Sequence, residues 1–168
     1  MFMFRTKLQE TYEVLDCAFY DEGTTGTLFN EWVNQNGGAI SSSFYEADNT
    51  GVTFKDETGS WRYFMANRTG TSKTDVNDYS EPVVVEFDVV EWTSTGAYIQ
   101  HKTTTRTASA LGITGECKFK AVYDGSTIKY YVDDEEVTSL NLNLGTFRIG
   151  FVCKDGYIKF KNFKIYSI

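Results

Sequence analysis

The chain has 168 residues, 41% of them hydrophobic and 16% aromatic, with 14 Gly and a single Pro. That is enough for one domain with a sizeable core, and too apolar for a disordered chain. A formal net charge of -7 without a basic tract argues against nucleic acid, which needs clustered Lys and Arg, and disfavours insertion at an anionic membrane. Neutral glycans and neighbouring protein subunits stay open as partners.

In chain order, the opening MFMFRTKLQETYE lacks a long apolar core and a small-residue cleavage site, so it reads as neither a secretion signal nor a membrane span. Residues 1–12 are read as an arm that docks on a neighbouring subunit or as a first edge strand, and 13–168 as one domain. Trp32 follows TLFNE and reads as a core or edge plug. In SWRYFMANR, Trp61, Tyr63 and Met65 alternate with Arg62, Phe64 and Ala66; one set faces the core, and the alternation does not say which. Residues 67–79 form the longest polar stretch and the best loop candidate. In GAYIQHKTTT, Tyr98 and Gln100 share the solvated face, opposite Ala97, Ile99 and His101. CKFKAVY, TIKYYV and TFRIGFVC each place apolar side chains on one face. YIKFKNFKIYSI starts with Ile158 and Phe160 in phase, then slips by one at Phe163 and Ile165. A bulge near Lys161–Asn162 repairs the slip.

Turns rich in Gly, Asn and Asp separate these runs, with no helical periodicity between them. That pattern predicts an all-β, antiparallel β-sandwich or jelly roll. Cys17, Cys117 and Cys153 are an odd count without C-x-x-C spacing, and read as small buried apolar side chains. Asp133–Glu136 reads as a solvated hairpin turn. Its oxygens suit calcium, the one cofactor considered, and no metal site is assigned.

The run VVVEFDVVEW holds three carboxylates, Glu86, Asp88 and Glu91. On a plain strand Val85, Phe87 and Val89 pack inward, Glu86 and Asp88 meet water, and Glu91 turns to the other face. A bulge at Val89–Val90 brings all three into line.

Three segments resemble the concanavalin A-like jelly rolls. VLDCAFYDEGTTGTLFNEWVNQNGGAI is similar to their opening strand, acidic turn, Trp and Gly-rich bend. KFKAVYDGSTIKYYVDDEEV is similar to their paired strands and short polar hairpin, and FRIGFVCKDGYIKFKNFKIYSI to their closing strands. The resemblance runs from about Tyr12 to the end. It points to small jelly-roll modules of viral structural proteins and surface adhesins. The carboxylate run also resembles the E-x-D-x-x-E of the laminarinase-type glucanases, glycoside hydrolase family sixteen. That likeness implies Glu86 as nucleophile, Asp88 as its electrostatic helper, Glu91 as acid/base and His101 near the cleft. The Trp-Pro-rich segment those enzymes carry is absent.

Sugars stack on aromatic rings and are oriented by a few polar groups. The ligand-binding candidates are therefore Trp61, Tyr63, Trp92, Tyr98, Gln100 and His101, flanked by Asn67 and Arg68. The function expected is a non-catalytic binding and structural module of a virion or cell-surface assembly, recognising glycans or a neighbouring subunit, as a homo-oligomer or assembly component. The alternatives are a small retaining endo-β-glucanase using Glu86 and Glu91, and a ligand-free decoration protein.

Overall fold

The computed structural model describes residues 19–21, 32–34, 36–48, 50–66, 82–101, 104–141 and 149–167. The strands among them are β1 (Phe19–Asp21), β2 (Trp32–Val33), β3 (Tyr45–Asp48), β4 (Gly51–Asp56), β5 (Arg62–Ala66), β6 (Val83–Trp92), β7 (Ala97–His101), β8 (Thr104–Thr107), β9 (Cys117–Tyr123), β10 (Thr127–Val132), β11 (Glu135–Asn141), β12 (Ile149–Cys153) and β13 (Gly156–Ser167). Two short 3-10 turns, Ser42–Phe44 and Ser109–Leu111, are the helical segments described. The expected arm at 1–12, Cys17, and the polar stretch 67–79 lie outside the described residues.

The strands form two antiparallel sheets. One has eight strands in the order β11-β10-β9-β6-β13-β4-β3, with β1 also paired to β13. The other has five, in the order β2-β5-β12-β7-β8. The expected sandwich is thus present.

Both bulges legible in the sequence form. On β13, Lys161 pairs with Asp88 and Lys164 with Glu86, so Asn162 and Phe163 together oppose Phe87. Asn162 takes a left-handed φ of 54°, which a short polar side chain tolerates. At this point β13 changes its other partner, from β4, ending at Phe160, to β1, starting at Phe163. The extra residue returns Phe163 and Ile165 to the buried face that Ile158 and Phe160 occupy. On β6, Glu91 pairs with Lys159 and Val89 with Phe160, so Val90 is the bulged residue.

The core is one apolar cluster fed by both sheets and dominated by rings. Phe54 of β4 stacks on Phe64 of β5 at 4.3 Å between centroids. Phe160 lies 4.9 to 6.0 Å from Phe54, Phe87, Phe151, Phe163 and Trp32. Rings at these separations add quadrupole attraction to area burial. Trp32 is 2% exposed, as a core plug requires. Cys153 is buried and Cys117 half-buried, and both are free thiols. Burial pushes Cys153 up to about 12 and Cys117 up to about 11, so both remain protonated. Gly150 on β12 is a packing requirement, since a Cβ there would stand 2.2 Å from the Phe64 carbonyl oxygen.

Among the described residues, Asp56 and His101 are also buried. Asp56, at the end of β4, accepts hydrogen bonds from the Thr58 hydroxyl at 2.7 Å, the Ser60 amide at 3.2 Å, Arg62 Nε at 3.3 Å and the Asp155 amide at 3.3 Å. Burial alone pushes its pKa up; the hydrogen bonds from Thr58, Asp155 and Arg62 outweigh it, and the net shift is downward. Asp56 thereby ties the β4–β5 turn to the β12–β13 turn. The other buried polar residue, His101, has neither ring nitrogen hydrogen-bonded.

Candidate functional site

The three carboxylates of β6 share the outer face of the eight-stranded sheet. Because Val90 is bulged, Glu91 emerges on the same side as Glu86 and Asp88, paired opposite Lys159, Lys164 and Lys161 of β13 respectively. On the other flank, Glu86 faces Lys120 and Asp88 faces Lys118 of β9. The result is a ladder of alternating charge. Glu86 Oε2 lies 3.2 Å from Lys164 Nζ. Asp88 accepts from Asn162 Nδ2 at 2.6 Å. Glu91 accepts from the Tyr157 hydroxyl, and that bond pushes the tyrosine pKa up. A depression of about 400 Å³ lies here, lined by Glu86, Asp88, Lys118, Lys120, Asn162 and Lys164. Its only rings, Phe87 and Phe119, are buried in the core beneath it.

The hairpin acids stand beside this face. Asp133 and Asp134 take left-handed φ values of 50° and 68°, turning β10 into β11. Asp133 accepts from the Lys118 amide at 2.8 Å, Asp134 pairs with Lys120 and Glu136 with Lys129. No group of three or more His, Cys, Asp or Glu side chains converges on a cation position among the described residues.

The aromatic candidates divide. Tyr63 and Tyr98 lie on the outer face of the five-stranded sheet, on either side of Val152 of β12. They pack there against a strip of Val33, Met65 and Val152. Gln100 follows Tyr98 on the same face, half-buried. Trp61, just before β5, is 50% exposed, and its ring centroid stands 5.7 Å from that of Tyr98. Trp61, Tyr63 and Tyr98 thus form one surface cluster. It is on the opposite side of the sandwich from the carboxylates.

Two expectations are corrected. Trp92 is 9% exposed and points into the core, where its Nε1 donates to the Ala97 carbonyl at 3.1 Å. The bulge that aligns Glu91 with Glu86 also sends the next residue inward. His101 is 1% exposed, packed edge-on to Tyr130 at 5.6 Å between the two sheets. It shares the inward face of Ile99, so it does not border the carboxylates and touches no surface ligand. Burial, with a smaller contribution from Arg106, pushes its pKa down to about 3. Asn67 and Arg68 lie outside the described residues.

The structure adds residues that the sequence did not single out. Beside Trp61 is a cleft of about 260 Å³ lined by Asn34, Ile40, Phe44, Trp61, Arg62 and Tyr63, among others. Asn34 Oδ1 holds the turn by accepting from the Asn36 and Gly38 amides. The Arg62 guanidinium lies 4.1 Å from the centre of the Phe44 ring, while its Nε reaches Asp56. Lys154, from the β12–β13 turn, places Nζ 5.2 Å from the centre of the Trp61 ring. No local pattern announces the Lys154–Trp61 contact, because it depends on β5 and β12 being neighbours.

No protein-family model and no curated protein sequence matches the chain. Solved structures do. The endo-β-1,3-glucanase from Pyrococcus furiosus superposes with a TM-score of 0.55 at 11% identity, over 89% of this chain and 93% of that one. The carbohydrate-binding module CBM66 from Bacillus subtilis gives 0.52 at 12%, over 82% and 96%. A Bacillus subtilis protein of unknown function with a galectin-like fold gives 0.56 at 10%, over 93% and 98%. At such identities the likeness is one of fold. Two antiparallel sheets, this strand order and these neighbours together give the chain the fold of a concanavalin A-like jelly roll.

Proposed function

We propose that the protein is a non-catalytic glycan-binding module whose platform is the Trp61, Tyr63 and Tyr98 cluster with the adjoining cleft. One observation carries this reading: Trp61 is the large aromatic that stays exposed among the described residues, while the other described Trp residues are buried. A half-exposed ring beside a small polar-lined cleft is the arrangement on which a sugar stacks and is oriented. Asn34, Asn36 and Arg62 supply hydrogen-bonding groups in that cleft. The similar folds of an endo-β-1,3-glucanase and a carbohydrate-binding module support the ligand class. On a glycan array or in a cell-wall pull-down, Trp61→Ala is expected to weaken binding about tenfold or more, since a central aromatic contact contributes on the order of 1.4 kcal/mol or above. Binding that survives the change unaltered moves the site elsewhere. Display on a virion or cell surface fits the β11 edge, where Val137 is exposed. A strictly monomeric protein without affinity for any assembly would remove that part of the proposal.

A second reading has its own observation: the Val90 bulge sets Glu86, Asp88 and Glu91 on one face, as a glucanase needs. Against it, the residue cast as acid/base, Glu91, is exposed on an open face opposite Lys159 and is not set in an apolar pocket. The expected outcome is that the wild-type protein releases no reducing ends from β-glucans. Release that Glu86→Gln abolishes in a folded protein would establish the enzyme.

A further inference from the structure

The charge around Trp61 says which glycans the platform takes. Among the described residues, the cleft beside it is lined by Arg62 and uncharged residues, with no carboxylate, in a protein of net charge -7. Asp56 is buried and committed to Thr58, Ser60, Arg62 and Asp155. The carboxylate of Asp155 lies against Gly59, within 3.6 Å of where a Cβ would stand. Lys154 makes no ion pair among the described residues, and its ammonium is held over the Trp61 ring instead. A half-buried lysine resting on an exposed indole is a cation without an anion. Its position is fixed by the turn that carries it: the Lys154 amide donates to the Gly96 carbonyl at 2.7 Å. Gly96 has φ of 80°, and a Cβ there would meet the Asp155 carbonyl oxygen at 2.6 Å.

Resting on the glycan-binding reading, we infer that the Trp61 platform is selective for glycans bearing a carboxylate, such as uronic-acid or sialic-acid chains. The sugar ring stacks on Trp61, and Lys154 supplies the counter-charge beside the stacked ring. Arg62, which lines the cleft, is oriented by Asp56 and Thr58 and stacked on Phe44, and adds a second positive charge there. An ammonium that gives up a ring contact for a carboxylate gains a charge-assisted hydrogen bond in a half-desolvated setting, which exceeds a fully exposed ion pair.

The test is a glycan array carrying uronate- and sialate-bearing chains beside neutral counterparts of the same length, followed by titration of the best acidic ligand and its neutral counterpart. The acidic ligand is expected to bind about fivefold tighter at low ionic strength, and the advantage is expected to shrink as salt rises. Lys154→Gln should bring the ratio of acidic to neutral affinity to about one; Trp61→Ala should weaken both. If neutral chains bind equally well, or Lys154→Gln leaves the preference intact, the carboxylate preference is wrong and the glycan platform stands. If no glycan of either kind binds, the platform itself is wrong.

Discussion

Replacing Phe160 with Ala is expected to lower the unfolding free energy by about 3–5 kcal/mol, the range for emptying a ring-sized site in a packed core. Phe160 is fully buried and touches rings from both sheets: Phe54, Phe87 and Phe163 of the eight-stranded sheet, Trp32 and Phe151 of the five-stranded one. Its neighbours are held by paired strands on both sides and cannot close the gap. Denaturant unfolding of the variant should show a lower midpoint at unchanged slope. A loss under about 1 kcal/mol would mean that the sandwich interior is not packed as described.

The second large effect is acid lability from His101. Its imidazole is neutral and buried, with Tyr130 on one side and the charge of Arg106 opposing protonation. Tyr130 is no proton acceptor, since burial pushes its own pKa up to about 12. The folded-state pKa of about 3 lies below the ordinary 6.5. Above pH 6.5 neither the folded nor the unfolded chain holds the proton, so stability is unaffected there. Below 6.5 the unfolded chain binds a proton that the folded one refuses, and stability falls toward pH 3. The slope approaches about 1.4 kcal/mol per pH unit. Asp48, lowered to about 2 chiefly by hydrogen bonds from Thr50, and Asp56 add acid sensitivity of the same sign at lower pH. The diagnostic window is therefore pH 6.5 to 4.5. His101→Leu should flatten the slope in that window. It should also raise stability at pH 7 by on the order of 1 kcal/mol, because it removes two unpartnered nitrogens. An unchanged slope in the variant would show that His101 is solvated in the folded protein.

Much of this architecture could be read from alternation alone. The phase slip after Phe160 located the β13 bulge, and the mixed acidic run located the one on β6. The first is forced, because a period of two admits no other repair; the second was one of two readings, beside a plain strand that turns Glu91 to the other face. Burial of His101 was legible too: GAYIQH sets it on the face of Ala97 and Ile99, and the structure keeps it there. The resemblance to the glucanases drew it toward a cleft that its own alternation denied. Trp92 carries the same lesson. Once Val90 is bulged and Glu91 faces out, the next side chain faces in.

Other features depended on information no local stretch holds. Whether Trp61 and Tyr63 or Arg62 and Phe64 faced the core was undecided, because both sets are ring-rich. The outcome follows from Phe64 stacking on Phe54 across the sandwich. That Trp61 meets Tyr98 and Lys154 follows from the strand order β5-β12-β7, which joins segments distant in sequence. Trp61 and Tyr98 were one set of candidates and the carboxylates another, and sheet assignment puts the two sets on opposite surfaces.

That separation gives the most direct test of the account. A glycan bound by the wild-type protein should be titrated in parallel into Trp61→Ala and Glu86→Gln. The account predicts a loss of about tenfold or more for Trp61→Ala and an unchanged affinity for Glu86→Gln. The reverse result would place recognition on the charged face of the eight-stranded sheet and contradict the assignment made here.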